Sequence, residues 1–123
     1  MREAPAIDGY GPTGFRIGGA WIEGSALILN DEARAWPVTS LAGLTLGDFA
    51  EVVAARDSVE FILLGTGAEM APPPRALRET LFEAGIGLEV MDTAAACKLY
   101  NVLASQGRRV ACALIAGSAK AAG

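Results

Sequence analysis

The chain has 123 residues, 52% of them hydrophobic and 20% charged, with a formal net charge of −4. That is the length of one ordinary domain, with enough apolar material for a real core. The acidic balance and scattered basic residues argue against nucleic-acid binding, and the absence of histidine removes His-based acid–base catalysis, Ser-His and Cys-His dyads and most zinc sites.

The opening "MREAPAIDGYGPTG" mixes Pro, Gly and Asp and reads as an extended arm, expected to be flexible over residues 1–12. "FRIGGAWIEGSALILN" reads as strands broken by turns at Gly18-Gly19 and Glu23-Gly24, with "SALIL" a short apolar run. "AWPV" at 35–38 reads as a short strand, placed at a sheet edge or end because Pro37 has no amide hydrogen. Thr45 opens the first clear helix, with Asp48 at the third helical position as an imperfect capping box. Leu46, Phe49, Val52 and Val53 then share one face, and Arg56 and Asp57 close the helix.

Residues 61–64, "FILL", are apolar on both alternating faces, so the strand is expected to be covered above and below. It runs into Gly65-Thr66-Gly67. Pro74 suits the first turn of the next helix, whose stripe is Leu77, Leu81 and Ala84 with Phe82 beside it. Gly85 reads as a left-handed cap, with Ile86 supplying its hydrophobic contact. "GLEVM" is a short strand, and Asp92 or Thr93 caps the third helix. There Ala95, Ala96, Leu99, Tyr100, Val102 and Leu103 share a broad arc, Lys98, Asn101 and Ser105 oppose it, and Cys97 is at the margin. Gly107 ends the helix. "RRVACALI" is the last strand, apolar on both faces and therefore central, and "AGSAKAAG" reads as a frayed, flexible tail.

Strands and helices alternate in the second half, which favours parallel strands with crossover helices. The expected fold is a single three-layer α/β domain, core about 9–116, with a mixed central sheet, helices on its faces and a small additional β-layer.

Three segments, "GYGPTGFRI", "EFILLGTG" and "EVMDTAAACKLYNVLASQGRRVACALI", occur in that order. Together they resemble a small domain-of-unknown-function family that includes the mitochondrial respiratory complex I assembly factor three and the adipogenesis-associated, Mth-type domain protein. The resemblance implies a mixed sheet with one strand running against the rest, no established enzyme activity and, in the mitochondrial branch, an assembly helper that works through protein contacts. The family pattern falls here on Gly65, Thr66, Gly67, Met91, Thr93, Ala96, Cys97, Tyr100, Asn101, Gly107, Arg108 and Val110. Where the family often reads Arg-Thr before Tyr-Asn, this chain has Lys98 and Leu99; where it often has Glu before Gly-Arg, this chain has Gln106. Lysine keeps the charge without the bidentate fork of arginine.

The candidate ligand or partner site is Gly65, Thr66, Gly67, Asp92, Thr93, Asn101 and Arg108. The glycine turn sits at the carboxyl end of a buried strand, where α/β sheets bind ligands, and glycines let amides approach an anion. It is not a P-loop, since no Lys-Ser/Thr follows. The bland reading is a sharp turn, with Asp92 and Thr93 used as a helix cap. Asn101 stands open between a loop contact and a ligand contact. Of Arg108 and Arg109, one is expected to anchor an acidic group and the other to be solvated. Cys97 and Cys112 read as buried, reduced packing residues. No catalytic residue, metal site or cofactor is assigned.

The leading functional expectation is a non-enzymatic, assembly-factor-like interaction protein whose partner is another protein, a respiratory-complex subunit or assembly protein. The alternative is a small-molecule or anion binder, or an enzyme, using the crevice at the glycine turn. Self-association as a homodimer is a third reading. The sequence has no evident targeting segment and no run long enough for a membrane span, and the expected location is cytoplasmic.

Overall fold

A computed structural model describes residues 3–117. Eight strands form two sheets. The smaller is an antiparallel meander of β1 (Ile7–Gly11), β2 (Gly14–Ile17) and β3 (Ala20–Glu23). The larger has the order β5-β4-β8-β6-β7, built from β4 (Ala26–Leu29), β5 (Glu32–Ala35), β6 (Phe61–Gly65), β7 (Gly87–Met91) and β8 (Ala111–Leu114). In it, β4 pairs antiparallel with both β5 and β8, while β8, β6 and β7 are mutually parallel. One strand thus runs against four, as the resemblance implied.

The alternation read from "FILL" and "VACALI" sets the layers. Ile62, Leu64, Ala111, Ala113 and Ile115 face Phe49, Val52, Leu77, Leu81 and Trp36. Leu63, Cys112 and Leu114 face the other way, onto Ala96, Cys97 and Tyr100 of α3 (Thr93–Ser105) and onto Phe15 and Ile17 of the small sheet. Residues 62–64 and 111–114 are all fully buried. Shielding on both sides explains why these strands carry no polar alternation.

Several local expectations are corrected. The extended arm becomes, from Ile7, strand β1 paired to β2. The strand expected at 35–38 lies instead at Glu32–Ala35. Asn30 and Asp31, both at positive φ (49° and 66°), make the two-residue hairpin turn that fixes its register against β4. The first helix is a 3-10 turn at Leu46–Phe49, a single α turn α1 (Ala50–Ala54) and a second 3-10 turn at Arg56–Ser58. Its start is held as read: the Asp48 carboxylate accepts the Thr45 backbone N–H at 2.9 Å.

Helix α2 (Arg75–Glu83) follows Pro74 and buries Leu77 and Leu81, but Phe82 points outward and is 82% exposed. Its end is a Schellman turn. Gly85, at φ +81°, donates to Phe82 O (3.0 Å), and the Ile86 N–H donates to Leu81 O (3.0 Å). In α3 the buried face is Thr93, Ala96, Cys97 and Tyr100, so Cys97 is central rather than marginal, and Val102 is exposed. The small sheet packs against α3 and decides which arc is covered. Residues 118–123, part of the expected tail, lie outside the described residues.

Candidate functional site

Five of the seven expected residues converge where β6, β7 and β8 end and α3 begins. Gly65 closes β6. The Thr66 N–H donates to Met91 O at 2.9 Å, and the Thr66 hydroxyl donates to Glu69 O (2.7 Å) while accepting from the Ala71 N–H (3.2 Å). Thr93 is fully buried. Its Oγ1 accepts the Gly67 N–H (2.8 Å) and donates to Ile115 O (2.9 Å), and its own N–H donates to Gly67 O (2.9 Å). The Ile115 N–H returns to Gly65 O at 3.0 Å. Asp92 caps α3 through Oδ1, which accepts the Ala95 N–H at 2.8 Å. One hydroxyl therefore ties the glycine turn, the central strand and a helix start together.

Packing at the turn is equally close. A Cβ at Gly65 would stand 2.9 Å from Thr93 Cα, 3.0 Å from its Oγ1 and 3.2 Å from the Ala96 Cβ. Those are backbone and short side-chain atoms that have no room to yield, so the residue is glycine because α3 crosses directly above it. The turn's polar groups face one another here.

The other two residues lie apart. Asn101 is two turns further along α3, where its carboxamide closes a ring with Ile7. Oδ1 accepts the Ile7 N–H at 2.8 Å and Nδ2 donates to Ile7 O at 2.9 Å. This is the hydrogen-bond pattern of a neighbouring strand, supplied by a side chain where β1 begins. Tyr100, its ring buried, donates its hydroxyl to Pro5 O (3.0 Å) and continues the same clasp.

Arg108 lies at the amino end of β8. Because β6 and β8 run parallel, that end is a strand length, roughly 15 Å, from the glycine turn. Its Nε donates to Glu60 Oε1 at 2.7 Å, its Nη2 lies 2.7 Å from the same oxygen, and its guanidinium sits 6.0 Å from the Phe61 ring centroid. Glu60 Oε2 also accepts the Arg109 N–H (3.0 Å). The hydrogen bond and charge of Glu60 push the Arg108 pKa further up. The acidic group anchored by Arg108 is therefore the chain's own, and Arg109 is exposed.

Both cysteines are free and buried. Burial, reinforced by Asp92, pushes the Cys97 thiol up to about 12, and burial pushes Cys112 well above its ordinary range. Neither is poised as a thiolate nucleophile. Among the described residues, no group of three His, Cys, Asp or Glu side chains is placed to hold a metal ion, and no helix is long and apolar enough to cross a membrane.

The order of these elements and their clasps sets the frame for comparison with known proteins. Residues 7–115, from the clasped start of β1 to the end of the central strand, match the family described as protein of unknown function (DUF498/DUF598). The chain belongs to that family. Within DUF498/DUF598, it is 41% identical over 109 residues to an uncharacterised Rhodobacter capsulatus protein, covering 89% of this chain and 82% of that one. It is 33% identical over 118 residues to the Danio rerio protein named NADH dehydrogenase (ubiquinone) 1 alpha subcomplex assembly factor 3, covering 94% of this chain and 68% of the relative. The human protein of that name is 30% identical, and the chain spans 61% of its length.

Among solved structures, a Bartonella henselae protein described as an outer membrane protein superposes with a TM-score of 0.84 at 33% identity, over 94% of this chain and 98% of that one. A Bordetella pertussis Mth938-like domain, 23% identical, shares the fold with a TM-score of 0.77 over 93% of this chain and 87% of that one.

Two residues of structural weight escaped the sequence reading. Glu60 is the charge immediately before the buried strand, a position that in retrospect marks a strand-start anchor. Ser25, which begins the "SALIL" run, is 4% exposed, and its Oγ accepts the Ala116 N–H at 2.9 Å. A serine opening an apolar run gives no signal separating this role from a simple turn.

Proposed function

We propose that this protein is a non-enzymatic interaction factor that assists assembly of a respiratory NADH dehydrogenase complex by binding a partner protein. The observation that carries the reading is the continuous similarity, over 94% of this chain, to a protein named as an assembly factor of that complex. The disposition of the polar set supports it. Thr93, Asp92, Asn101 and Arg108 each engage a group of the chain itself. Both thiols are held in the neutral form. In this reading the chain acts in the cytoplasm, and no cofactor takes part.

The test is deletion of the gene in its own cell, with native gel electrophoresis of the membrane complexes and gentle affinity purification of a tagged copy. The expected result is loss or stalling of the NADH dehydrogenase complex and recovery of one of its subunits or assembly proteins. Normal complex levels in the deletion strain, with no partner recovered, would overturn the reading.

A further inference from the structure

The residues just after edge strand β5 are held by hydrogen bonds to two other parts of the chain. Trp36 is fixed twice: its N–H donates to Ser25 O (2.9 Å) and its indole Nε1 donates to Asp48 O (2.9 Å). Its ring packs against Phe49 at 5.4 Å between centroids. The Val38 N–H then donates to Trp36 O (2.8 Å), closing a three-residue turn around the exposed Pro37. Pro37 is thus the crest of a rigid ridge.

Three hollows surround that crest. One of about 510 Å³ lies between the ridge, the β3 end at Glu23 and the Ala116 backbone, with Pro12 and Val38 as apolar walls. A second, about 190 Å³, continues past Thr39 to Asp48. A third, about 170 Å³, runs from Asp48 to Arg34 and Glu51. All three are lined by Pro37, so they lie side by side around it as a trough in three parts.

The trough has polar groups left over. Ser25 is buried at its wall; its oxygen accepts from Ala116, and its hydroxyl hydrogen has no acceptor among the described residues. Thr39 beside it is exposed, and its amide and hydroxyl face solvent. The charges are unbalanced. Glu23, which accepts the Trp21 indole N–H, stands at one end and Asp48, which caps Thr45, in the middle, and among the described lining residues the one cation, Arg34, is paired with Glu51. The surface therefore offers a large, mainly apolar hollow with two more polar ones beside it, donors open to a ligand at Ser25 and Thr39, and excess negative charge. A compact molecule would use one hollow; an extended chain would use all three, its carbonyls meeting the donors. Because the ridge is already fixed, little ordering opposes binding.

We propose that the trough around Pro37 receives an extended, basic and apolar polypeptide segment of a partner protein. This rests on the interaction-factor reading above and names the surface that serves it.

The test uses the full chain and random dodecapeptides displayed on phage. Selected peptides are synthesised and titrated into isotopically labelled protein. Enriched sequences are expected to combine net positive charge with apolar residues, and amide shifts to change at Glu23–Ser25, at Trp36, Val38 and Thr39, and at Ala116. Glu23→Lys and Pro37→Asp, both at exposed positions, should weaken binding at least fivefold and tenfold, whereas Phe82→Ser should not change it. Peptides of net negative charge, shifts confined elsewhere, no saturable binding, or affinity indifferent to Glu23→Lys would overturn the proposal; the wild-type shift map decides the matter if a variant misfolds. A native partner that binds both trough variants normally would sink the trough and leave the assembly reading standing. A mapped peptide site, with no assembly defect on gene deletion and no partner recovered, would do the reverse.

Discussion

Thr93→Val separates a structural hydroxyl from a ligand-binding one. Valine nearly matches the shape of threonine, so the substitution removes two hydrogen bonds without opening a cavity. It strands the Gly67 N–H and the Ile115 carbonyl, both now bonded to Oγ1 at 2.8 and 2.9 Å around a fully buried side chain. A buried group left unsatisfied costs about 1–3 kcal/mol, so the two together should cost roughly 2–6 kcal/mol. Domains of this size have about 5–15 kcal/mol in total. The melting temperature should fall by on the order of 10–20 °C. Thr93→Ser keeps both bonds and loses one methyl group, for about 1 kcal/mol. The assay is urea unfolding of all three proteins, with the slope required to stay constant so that midpoints report stability. A valine variant within about 0.5 kcal/mol of wild type, or a serine variant less stable than the valine one, would refute the reasoning, since 0.5 kcal/mol is what an inconsequential surface change produces.

Three further outcomes follow from the same contacts. Gly65→Ala should cost about 1–3 kcal/mol by overpacking against the α3 backbone, read as a lowered urea midpoint at unchanged slope. Asn101→Ala should cost about 1–3 kcal/mol by orphaning both polar groups of Ile7, and the Ile7 amide should lose its hydrogen-exchange protection well before the β8 amides do. Cys97 and Cys112 should resist alkylation in the folded protein at pH 8 and react on unfolding. Because burial raises their folded pKa values, the unfolded chain releases these protons first as pH rises. Their stability contribution is complete below the ordinary thiol value of 9.0 and is lost as pH climbs toward about 12, visible as a falling midpoint in alkaline urea titrations.

What was legible in the sequence was whatever local chemistry fixes by itself. The unbroken apolar runs at 61–64 and 110–115 could only be covered strands. Gly85 followed by Ile86 could be read as a Schellman turn because its requirements, a residue tolerant of positive φ and then an apolar contact, are met by two adjacent residues. The Asp92 cap needed only a carboxylate three residues before a free amide. Tertiary packing hid the rest. The arc of α3 was misjudged by including Val102 and placing Cys97 at the edge, because periodicity shows that a helix has an apolar side but not how wide a surface it meets. The β1 strand was hidden because its free edge at Ile7 is bonded by the side chain of Asn101, 94 residues away, and no strand pattern in "AIDGYG" announces such a partner.

The same distinction bears on how a site is recognised. Gly65, Thr66, Gly67, Asp92 and Thr93 attracted attention because glycines and small polar residues at the carboxyl end of a parallel strand are what a ligand site requires. A crossover helix packed within a van der Waals radius of that strand requires them too: a missing Cβ for clearance, a hydroxyl able to donate and accept at once, and a carboxylate for the first helical amides. The sequence signature is shared, and hydrogen-bond accounting separates the two. At the glycine turn, Thr93 donates and accepts within the chain. Around Pro37 the accounting leaves a remainder: the buried Ser25 hydroxyl hydrogen has no acceptor among the described residues, and the lining carboxylates outnumber the lining cations. Nothing in "NDEARAWPVTS" marks that region as special, because its donors and hollows belong to five separate stretches of chain brought together by the meeting of the two sheets. For this fold the unspent hydrogen bonds, more than the conspicuous residues, indicate where another molecule would gain from binding.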